Sequence, residues 1–145
     1  MNASPFASHH PGQRAMHLYT DVGVQGAAAS DNASHALIAM LFDGALGAIA
    51  RARGAIDRGD TVDKAAAVNK ALAIVGEGLR ASLNLEKGGK LARDLDALYG
   101  YVEVRLTHAN LRNDVAALDE CAVLLKPLQE AWGGIAPTAP ARQAA

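Results

Sequence analysis

The sequence predicts an all-α protein, an antiparallel four-helix bundle with a short helical or extended N-terminal strap and flexible tails. Its composition is rich in Ala, Leu and Gly and poor in aromatic residues, which favours helix over sheet. Apolar residues recur at helical spacing in four segments, and turn-forming residues separate these segments. Because the connections are short, consecutive helices are expected to pack antiparallel.

Both ends of the chain mix small and polar residues without sustained periodicity. One apolar island, RAMHLYTDVGV at residues 14–24, interrupts the N-terminal stretch. We therefore expect flexible tails at 1–13 and 134–145 and one helical domain over 14–133. The island is expected to fold back onto the bundle as a strap, with Tyr19 in contact with its surface.

The first helix is predicted over residues 34–58. The sequence SDNAS at 30–34 offers several N-cap residues, and Gly59 stops the apolar pattern. Apolar residues cover about half of the helix circumference at about 100° per residue. This helix is expected to contribute Leu37, Leu41, Phe42 and Ile49 to the core.

The second helix is predicted to follow Thr61 as N-cap and to end before the Gly88-Gly89 pair. Asp63 lies in its first turn, where the helix dipole favours an anion. The predicted core stripe comprises Val68, Leu72, Val75, Leu79 and Leu83. A second, shallow apolar strip is predicted well off that stripe, formed by Ile74 and Leu85 with the small residues Ala67, Gly78 and Ala81.

The third helix is predicted over residues 90–110 and contains the start of LYGYVEVRLTHANL, at 98–111, with a C-cap and turn at 110–113. Its predicted core stripe comprises Leu91, Leu95, Leu98, Tyr99, Val102 and Leu106. The far side is predicted to carry Ala97, Tyr101, Val104 and Leu111. Tyr99 is thus expected in the core, and Tyr101 on a surface for a partner.

The fourth helix is predicted from Asp114 to Trp132 and contains Pro127, which removes a backbone donor and clashes with the preceding turn. The apolar stripe continues through the proline, so a kinked helix is expected rather than two helices. Trp132 is expected to seal one end of the core. The stripe comprises Leu118, Cys121, Leu125, Leu128 and Trp132.

No pattern typical of a catalytic, cofactor or metal site is present. No two of the five histidines have the i, i+4 spacing of paired metal ligands, and GGK at 88–90 lacks the rest of a phosphate-binding loop. Asp94, Asp96 and Glu103 are expected on different sides of the third helix. The single cysteine, Cys121, excludes an intrachain disulfide and is expected to be a small buried residue.

The charge pattern argues against nucleic acid as a partner. Fourteen Lys and Arg balance fifteen Asp and Glu, and both signs are scattered along the chain. The N-terminus shows no signal-peptide pattern, and nowhere do eighteen apolar residues follow one another. We therefore expect neither secretion through a signal peptide nor a membrane span.

The second apolar strips of the second and third helices predict an exposed groove. Large exposed apolar patches mark partner sites, and such a groove suits an amphipathic helix. The alternative is that these residues touch the terminal strap or a second copy, or stand singly on the surface.

Three segments resemble the flagellin-specific export chaperones of the FliS family. The run LYGYVEVRLTHAN with a final AW is the most specific part, and the resemblance covers roughly residues 14–133. The segments are HALIAMLFDGAL (35–46), NKALAIVGEGLRASLNLEKGGKLARDLDALYGYVEVRLTHAN (69–110) and DECAVLLKPLQEAW (119–132).

The resemblance implies a bacterial cytosolic protein without enzymatic activity or cofactors. It implies binding of the disordered C-terminal segment of flagellin, which is thereby kept from premature polymerisation and competent for export, and it leaves room for flagellar regulators or export-gate components as further partners. The alternative function is a self-associating helical-bundle adaptor without a flagellin client. The residues expected to contact the client are Tyr19, Ile74, Leu85, Ala97, Tyr101, Val104 and Leu111.

Overall fold

A computed structural model of the chain describes the backbone of residues 27–135 and the side chains of residues 32–135. This range contains four helices and no strand, which confirms the predicted fold class. The second helix continues directly into a π-helical segment, Ile74–Arg80. The helices are α1 (Ala27–Arg58), α2 (Thr61–Ala73), α3 (Gly89–Arg112) and α4 (Val115–Gly134).

The helices alternate in direction around the bundle. Arg53 of α1 contacts Asp119 near the start of α4. His35, nearer the start of α1, contacts Trp132 at the end of α4, so these two helices run antiparallel. Helix α1 packs against α2 and α4, and α3 packs against the same two helices. Thus α1 and α3 lie diagonally opposite each other.

The core contains most of the apolar residues that periodicity predicts, together with a row of alanines on α1. Ala45, Ala48, Ala52 and Ala55 are almost completely buried, and their small side chains allow the neighbouring helices to approach closely. Eleven of the predicted core residues are buried: Phe42, Ile49, Val68, Val75, Leu79, Tyr99, Val102, Leu106, Leu118, Cys121 and Leu125. Six others pack half-buried against them: Leu41, Leu72, Leu83, Leu95, Leu128 and Trp132.

Three predicted core positions are wrong. Leu91 is 69% exposed, and Leu37 and Leu98 are half-buried without joining the core cluster. The buried residue in the first turn of α3 is Ala92, so the core side of the helix passes through Ala92 at this end and leaves Leu91 exposed at its edge. At the end of α4, the Trp132 ring stacks on His35 of α1 with 4.9 Å between ring centroids.

The predicted N-terminal boundaries of the first two helices are also corrected. Helix α1 begins at Ala27 and runs through the SDNAS sequence, because the alanines before it are the strongest helix formers. Asp60, not Thr61, caps α2: its carboxylate accepts a hydrogen bond from the Asp63 amide at 3.0 Å.

Helix α2 ends earlier than predicted. Its π-helical continuation stops at Arg80, and turns lead from there to α3. The Ser82 hydroxyl donates to the Leu79 carbonyl at 2.8 Å, and the Asn84 side chain accepts from the Lys87 amide at 2.9 Å. Such side-chain bonds compete with the helical hydrogen-bond pattern and favour termination.

The turn between α3 and α4 follows the sequence signals closely. Asn113 has a left-handed backbone, with φ of 52°, and its amide bonds back to the end of α3. Asp114 caps α4 by accepting from the Ala117 amide at 3.1 Å, which lowers the pKa of its carboxyl. Helix α4 continues through Pro127 as one helix, as predicted, and the kink expected there stays a prediction.

One described segment, Asn32–Arg58, is long and apolar enough to cross a membrane by length and composition alone. The same helix buries Phe42, Ala45 and Ile49 in the core, as a central helix of a bundle does. The predicted strap at 14–24 and the tail at 1–13 lie outside the described residues, as does most of the tail at 134–145.

Candidate functional site

The outward side of α3 carries a row of apolar side chains, here called the outer face of α3: Ala97, Tyr101, Val104 and Leu111. All four are exposed, and the exposed fractions of Tyr101, Val104 and Leu111 are 45%, 66% and 76%. Their spacing of four, three and seven residues places them along one line of the helix. The sequence-based assignment of these residues to the surface is confirmed.

The opposite side of α3 is buried. Tyr99 is 4% exposed, and burial raises the pKa of its hydroxyl to about 12. Val102 and Leu106 are completely buried beside it. Helix α3 therefore has two apolar faces, of which the core uses one.

A hydrogen-bonded cluster holds Tyr101 where α3 meets α4. Its hydroxyl donates to Glu120 Oε2 of α4 at 2.6 Å, and Arg105 Nε donates to Glu120 Oε1 at 2.7 Å. These two donors hold the pKa of the Glu120 carboxyl below its ordinary value. The cluster fixes the tyrosine ring at the boundary of the two helices while leaving much of the ring exposed.

Helix α4 extends this apolar surface, a contribution that the sequence analysis missed. Val123 is 69% exposed and Pro127 is also exposed. They follow Glu120 by three and seven residues, so they share its face. Because the two helices run antiparallel, this face continues from Tyr101 past Leu98 towards Leu91. The α3–α4 surface is defined here as Leu91, Leu98, Tyr101, Val123 and Pro127.

A signal for the α4 residues was present in the sequence. Val123 and Pro127 both fall outside the buried stripe of their helix, as Tyr101 does on α3. A proline inside a helix indicates a kink, but its ring also supplies apolar area, which is exposed at Pro127.

The second apolar strip predicted for the second helix is not a surface strip. Gly78 is buried, and a methyl group placed on it would lie 3.1 Å from Leu41 of α1. Ile74 is half-buried against the core, and its Cδ1 lies 3.1 Å from where a methyl group on Gly44 of α1 would be. The small residues serve the close approach of α1, so the predicted groove between the second and third helices is wrong.

Leu85, in the turn before α3, is 47% exposed, as a contact residue must be. Tyr19 lies outside the described residues.

Charged groups occupy the space between α2 and α3. Arg80 donates to Asp96 at 2.7 Å and to Glu103 at 2.6 Å, which raises the pKa of the arginine and lowers that of Asp96. Asp96 and Glu103 therefore share one side of α3, contrary to the prediction. A methyl group on Gly76 would lie 2.5 Å from Glu103 Oε2, and one on Gly100 would lie 3.1 Å from the Arg80 guanidinium. Glycine at both positions leaves room for the ion pairs.

This charged cluster also borders a cavity of about 430 Å³ between α2 and α3. Leu72 supplies apolar wall, and Asn69, Glu77 and Glu103 supply polar wall.

The described residues contain no group of three or more His, Cys, Asp or Glu side chains placed to hold a metal ion. Cys121 is buried as predicted, and burial raises the pKa of its thiol to about 11. Across the described side chains, every buried nitrogen and oxygen has a hydrogen-bond partner. The features that stand out on this part of the chain are apolar contact surfaces.

Comparison with known proteins agrees with the resemblance. The family model described as "Flagellar protein FliS" matches residues 15–139. The flagellar secretion chaperone FliS of Salmonella typhimurium is 47% identical over 121 residues, which are 83% of this chain and 89% of that protein. The flagellar secretion chaperone FliSB of Pseudomonas aeruginosa is 43% identical over 122 residues, 84% of this chain and 95% of that protein. FliS of Escherichia coli is 40% identical over 114 residues, 79% of this chain and 83% of that protein.

The family model spans all four helices of the bundle. The residues that it matches include both exposed apolar surfaces described above. The chain belongs to the FliS family and is a flagellar secretion chaperone.

Proposed function

We propose that the chain binds the disordered C-terminal segment of flagellin in the bacterial cytosol, prevents its premature polymerisation and keeps it competent for export. The observation that carries this proposal is the exposed apolar surface of α3 and α4, on helices whose opposite faces are buried. The name flagellar secretion chaperone, which the relatives bear, supports a flagellar client.

The mechanism follows from how flagellin assembles. Its terminal segments polymerise by packing amphipathic helices against neighbouring subunits. A chaperone that covers the apolar faces of such helices removes the polymerisation surface before export. The outer face of α3 and the α3–α4 surface supply apolar area of the matching kind.

Release of the client is compatible with a large contact area. A segment that is disordered when free loses conformational entropy on binding, and this cost offsets part of the contact energy. The complex therefore remains dissociable when the export machinery engages the client.

The proposal includes no catalytic step, no cofactor and no metal. The α3–α4 surface offers apolar side chains and one cluster of carboxylate, phenol and guanidinium groups that are bonded to one another. Ala97, Tyr101, Val104 and Leu111 are the central proposed contacts, with Leu85 and Tyr19 at the edges. Flagellar regulators and export-gate components remain candidates for further partners.

Size-exclusion chromatography of the chain with a flagellin C-terminal segment tests the proposal. A 1:1 complex is expected to elute ahead of the free chain. A dimer peak that the segment leaves unchanged would instead favour the self-associating adaptor.

Two exposed valines provide a matched pair of variants. Val123→Lys places a charge in the α3–α4 surface and should abolish the shift. Val62→Lys makes the same change at a residue that is 81% exposed, in the first turn of α2. It should leave the shift intact, and loss of the complex in both variants would contradict the assigned location.

A further inference from the structure

The outer face of α3 has the spacing of a coiled-coil seam. Ala97, Tyr101, Val104, His108 and Leu111 follow one another at intervals of four, three, four and three residues. This spacing keeps a row of side chains against one partner helix over about four turns. Only His108 interrupts the apolar row, and its Nε2 lies 3.1 Å from Asp114.

The charges that flank this seam are predominantly positive. Arg93 and Arg112 are both exposed, and neither forms an ion pair with the residues that the structure describes. Viewed down the axis of α3, Arg93 lies about 40° to one side of Ala97 and Arg112 about 60° to the other side. The two positions are about 28 Å apart along the helix.

The carboxylates nearby are already engaged. Asp94 pairs with Lys90 at 2.7 Å, and Glu120 bonds Tyr101 and Arg105. Asp96 is held by Arg80 on the side facing α2. Asp114, two residues after Arg112, caps α4 and contacts His108. The seam therefore presents two arginines that form ion pairs with none of the described carboxylates, one near each end.

A second copy of the chain fits this pattern incompletely. Two outer faces packed antiparallel about Tyr101 and Val104 would place Arg93 of one copy level with Arg112 of the other, but on opposite flanks of the seam. The acidic residue that a second copy offers at these flanks is Asp94, which is already in an ion pair and would lie beside only one of the two arginines in either direction. A helix with an acidic residue beside each arginine fits better, because opposite charges at flanking positions select the partner.

We propose that the outer face of α3 binds an amphipathic helix of about four turns that carries acidic residues beside its apolar stripe, near both ends. The inference rests on the proposed function for the identity of the natural partner, which is then the part of the client with this charge pattern. Val104 and Leu111 supply the apolar contact, and Arg93 and Arg112 select against basic helices.

Two synthetic helical peptides with the same apolar stripe test the inference on the full chain. One peptide has Glu at the flanking positions and the other has Lys, and binding is followed by fluorescence anisotropy. The Glu peptide should bind at least about tenfold more tightly than the Lys peptide. Each exposed charge pair with the Glu peptide contributes part of this difference in affinity, and repulsion between the arginines and the Lys peptide contributes the rest. The preference should shrink at high salt, because salt screens exposed charges.

Substitutions distinguish the contribution of the two arginines from that of the apolar residues of the seam. Arg93→Glu combined with Arg112→Glu should reverse the preference for the Glu peptide. Lys70→Glu combined with Lys126→Glu changes the net charge by the same amount, at exposed lysines of α2 and α4. This control should leave the preference for the Glu peptide unchanged. Val104→Lys should abolish binding of both peptides.

Equal binding of the two peptides would overturn the inference, as would binding that survives Val104→Lys. A dimer of the wild-type chain that Val104→Lys dissociates would assign the seam to a second copy and overturn the inference as well.

Parallel titrations use the flagellin C-terminal segment. If the flagellin segment binds the wild type and the double arginine variant equally, the proposed function stands and this inference fails. If it does not bind while the Glu peptide shows the expected preference, the inference stands and flagellin is the wrong client.

Discussion

Tyr99 and Tyr101 lie two residues apart on α3 and have opposite environments. Tyr99→Ala should lower the free energy of unfolding by about 3–5 kcal/mol, since it removes a buried ring and leaves a cavity. Tyr101→Ala should change it by less than about 1 kcal/mol, because most surface changes are small. It should weaken binding of the flagellin segment by about 1–2 kcal/mol if the ring anchors the client. Thermal denaturation and calorimetric titration of both variants provide the comparison.

Tyr101→Phe is the control for the hydrogen bond to Glu120. It keeps the ring and should therefore retain most of the affinity. A Tyr101→Ala variant that loses stability but binds normally would refute the assignment of this residue to the binding surface.

The burial of leucines on α3 gives a second prediction at this scale. Leu106→Ala should destabilise the fold by about 2–5 kcal/mol, because the side chain is completely buried. Leu98→Ala should cost less, since Leu98 is half-buried, and Leu91→Ala should be nearly neutral. Chemical denaturation of the three variants measures the order, and equal losses would contradict the described orientation of α3.

These leucines also show which single residues helical periodicity predicts correctly and which it does not. Helical spacing identified the buried side of α3 correctly at Tyr99, Val102 and Leu106. It placed Leu91 on the same side, because spacing alone does not reveal where the neighbouring helix stops covering that side. In the first turn of α3 the core covers Ala92 and not Leu91.

At the scale of elements, two glycines differ in the space around them. A methyl group on Gly88 would lie 2.5 Å from the Ala92 Cβ and 2.7 Å from the Asn84 carbonyl oxygen. Gly88→Ala should therefore force the backbone of the α2–α3 turn to shift and destabilise the fold by about 1–3 kcal/mol.

Gly47→Ala is the matched change in open space, since nothing lies within 4 Å of its added methyl group. It should stabilise the chain by about 0.5–1 kcal/mol, because alanine is the better helix former. The two thermal midpoints should move in opposite directions, and a shared direction would argue against the described turn.

Element type was predictable from the sequence, but some element surfaces were not. Four helical patterns and the Asn113-Asp114 turn carried clear signals. The helical wheel placed Val75 and Leu79 in the core correctly, but it could not show that α1 also covers the neighbouring side of the same helix, where Ile74 and Gly78 lie. Both lie against α1 rather than on a groove.

At the scale of the whole molecule, ion pairs and caps predict a loss of stability in acid. Hydrogen bonds lower the pKa of four carboxyls, mainly through these donors: Arg51 to Asp63, Arg80 to Asp96, the Ala117 amide to Asp114 and Tyr101 to Glu120. A carboxyl with a lower pKa in the folded state binds more protons when unfolded. Its contribution is therefore present above the ordinary values of 3.8 for Asp and 4.5 for Glu and is lost as pH falls below them.

Thermal denaturation across an acid pH series measures this loss. The midpoint should fall as pH drops below about 4, and high salt should reduce the effect, because the groups are exposed. A midpoint that stays constant through this range would mean that these bonds contribute nothing to folding.

The bundle as a whole was predictable, whereas the full binding surface was not. Helix number, antiparallel order and most of the core follow from periodicity and turn residues. The contribution of Val123 and Pro127 depends on how α3 and α4 are placed side by side, which the Tyr101–Glu120 bond makes visible. The predicted contact at Tyr19 stays a prediction.

The most direct test of a client surface on α3 and α4 is calorimetric titration of the full chain with the flagellin C-terminal segment. The wild type should bind one segment, and a variant combining Val104→Lys with Val123→Lys should lose binding while it keeps its helical content. Undiminished affinity in that double variant would place the client elsewhere and contradict the central claim.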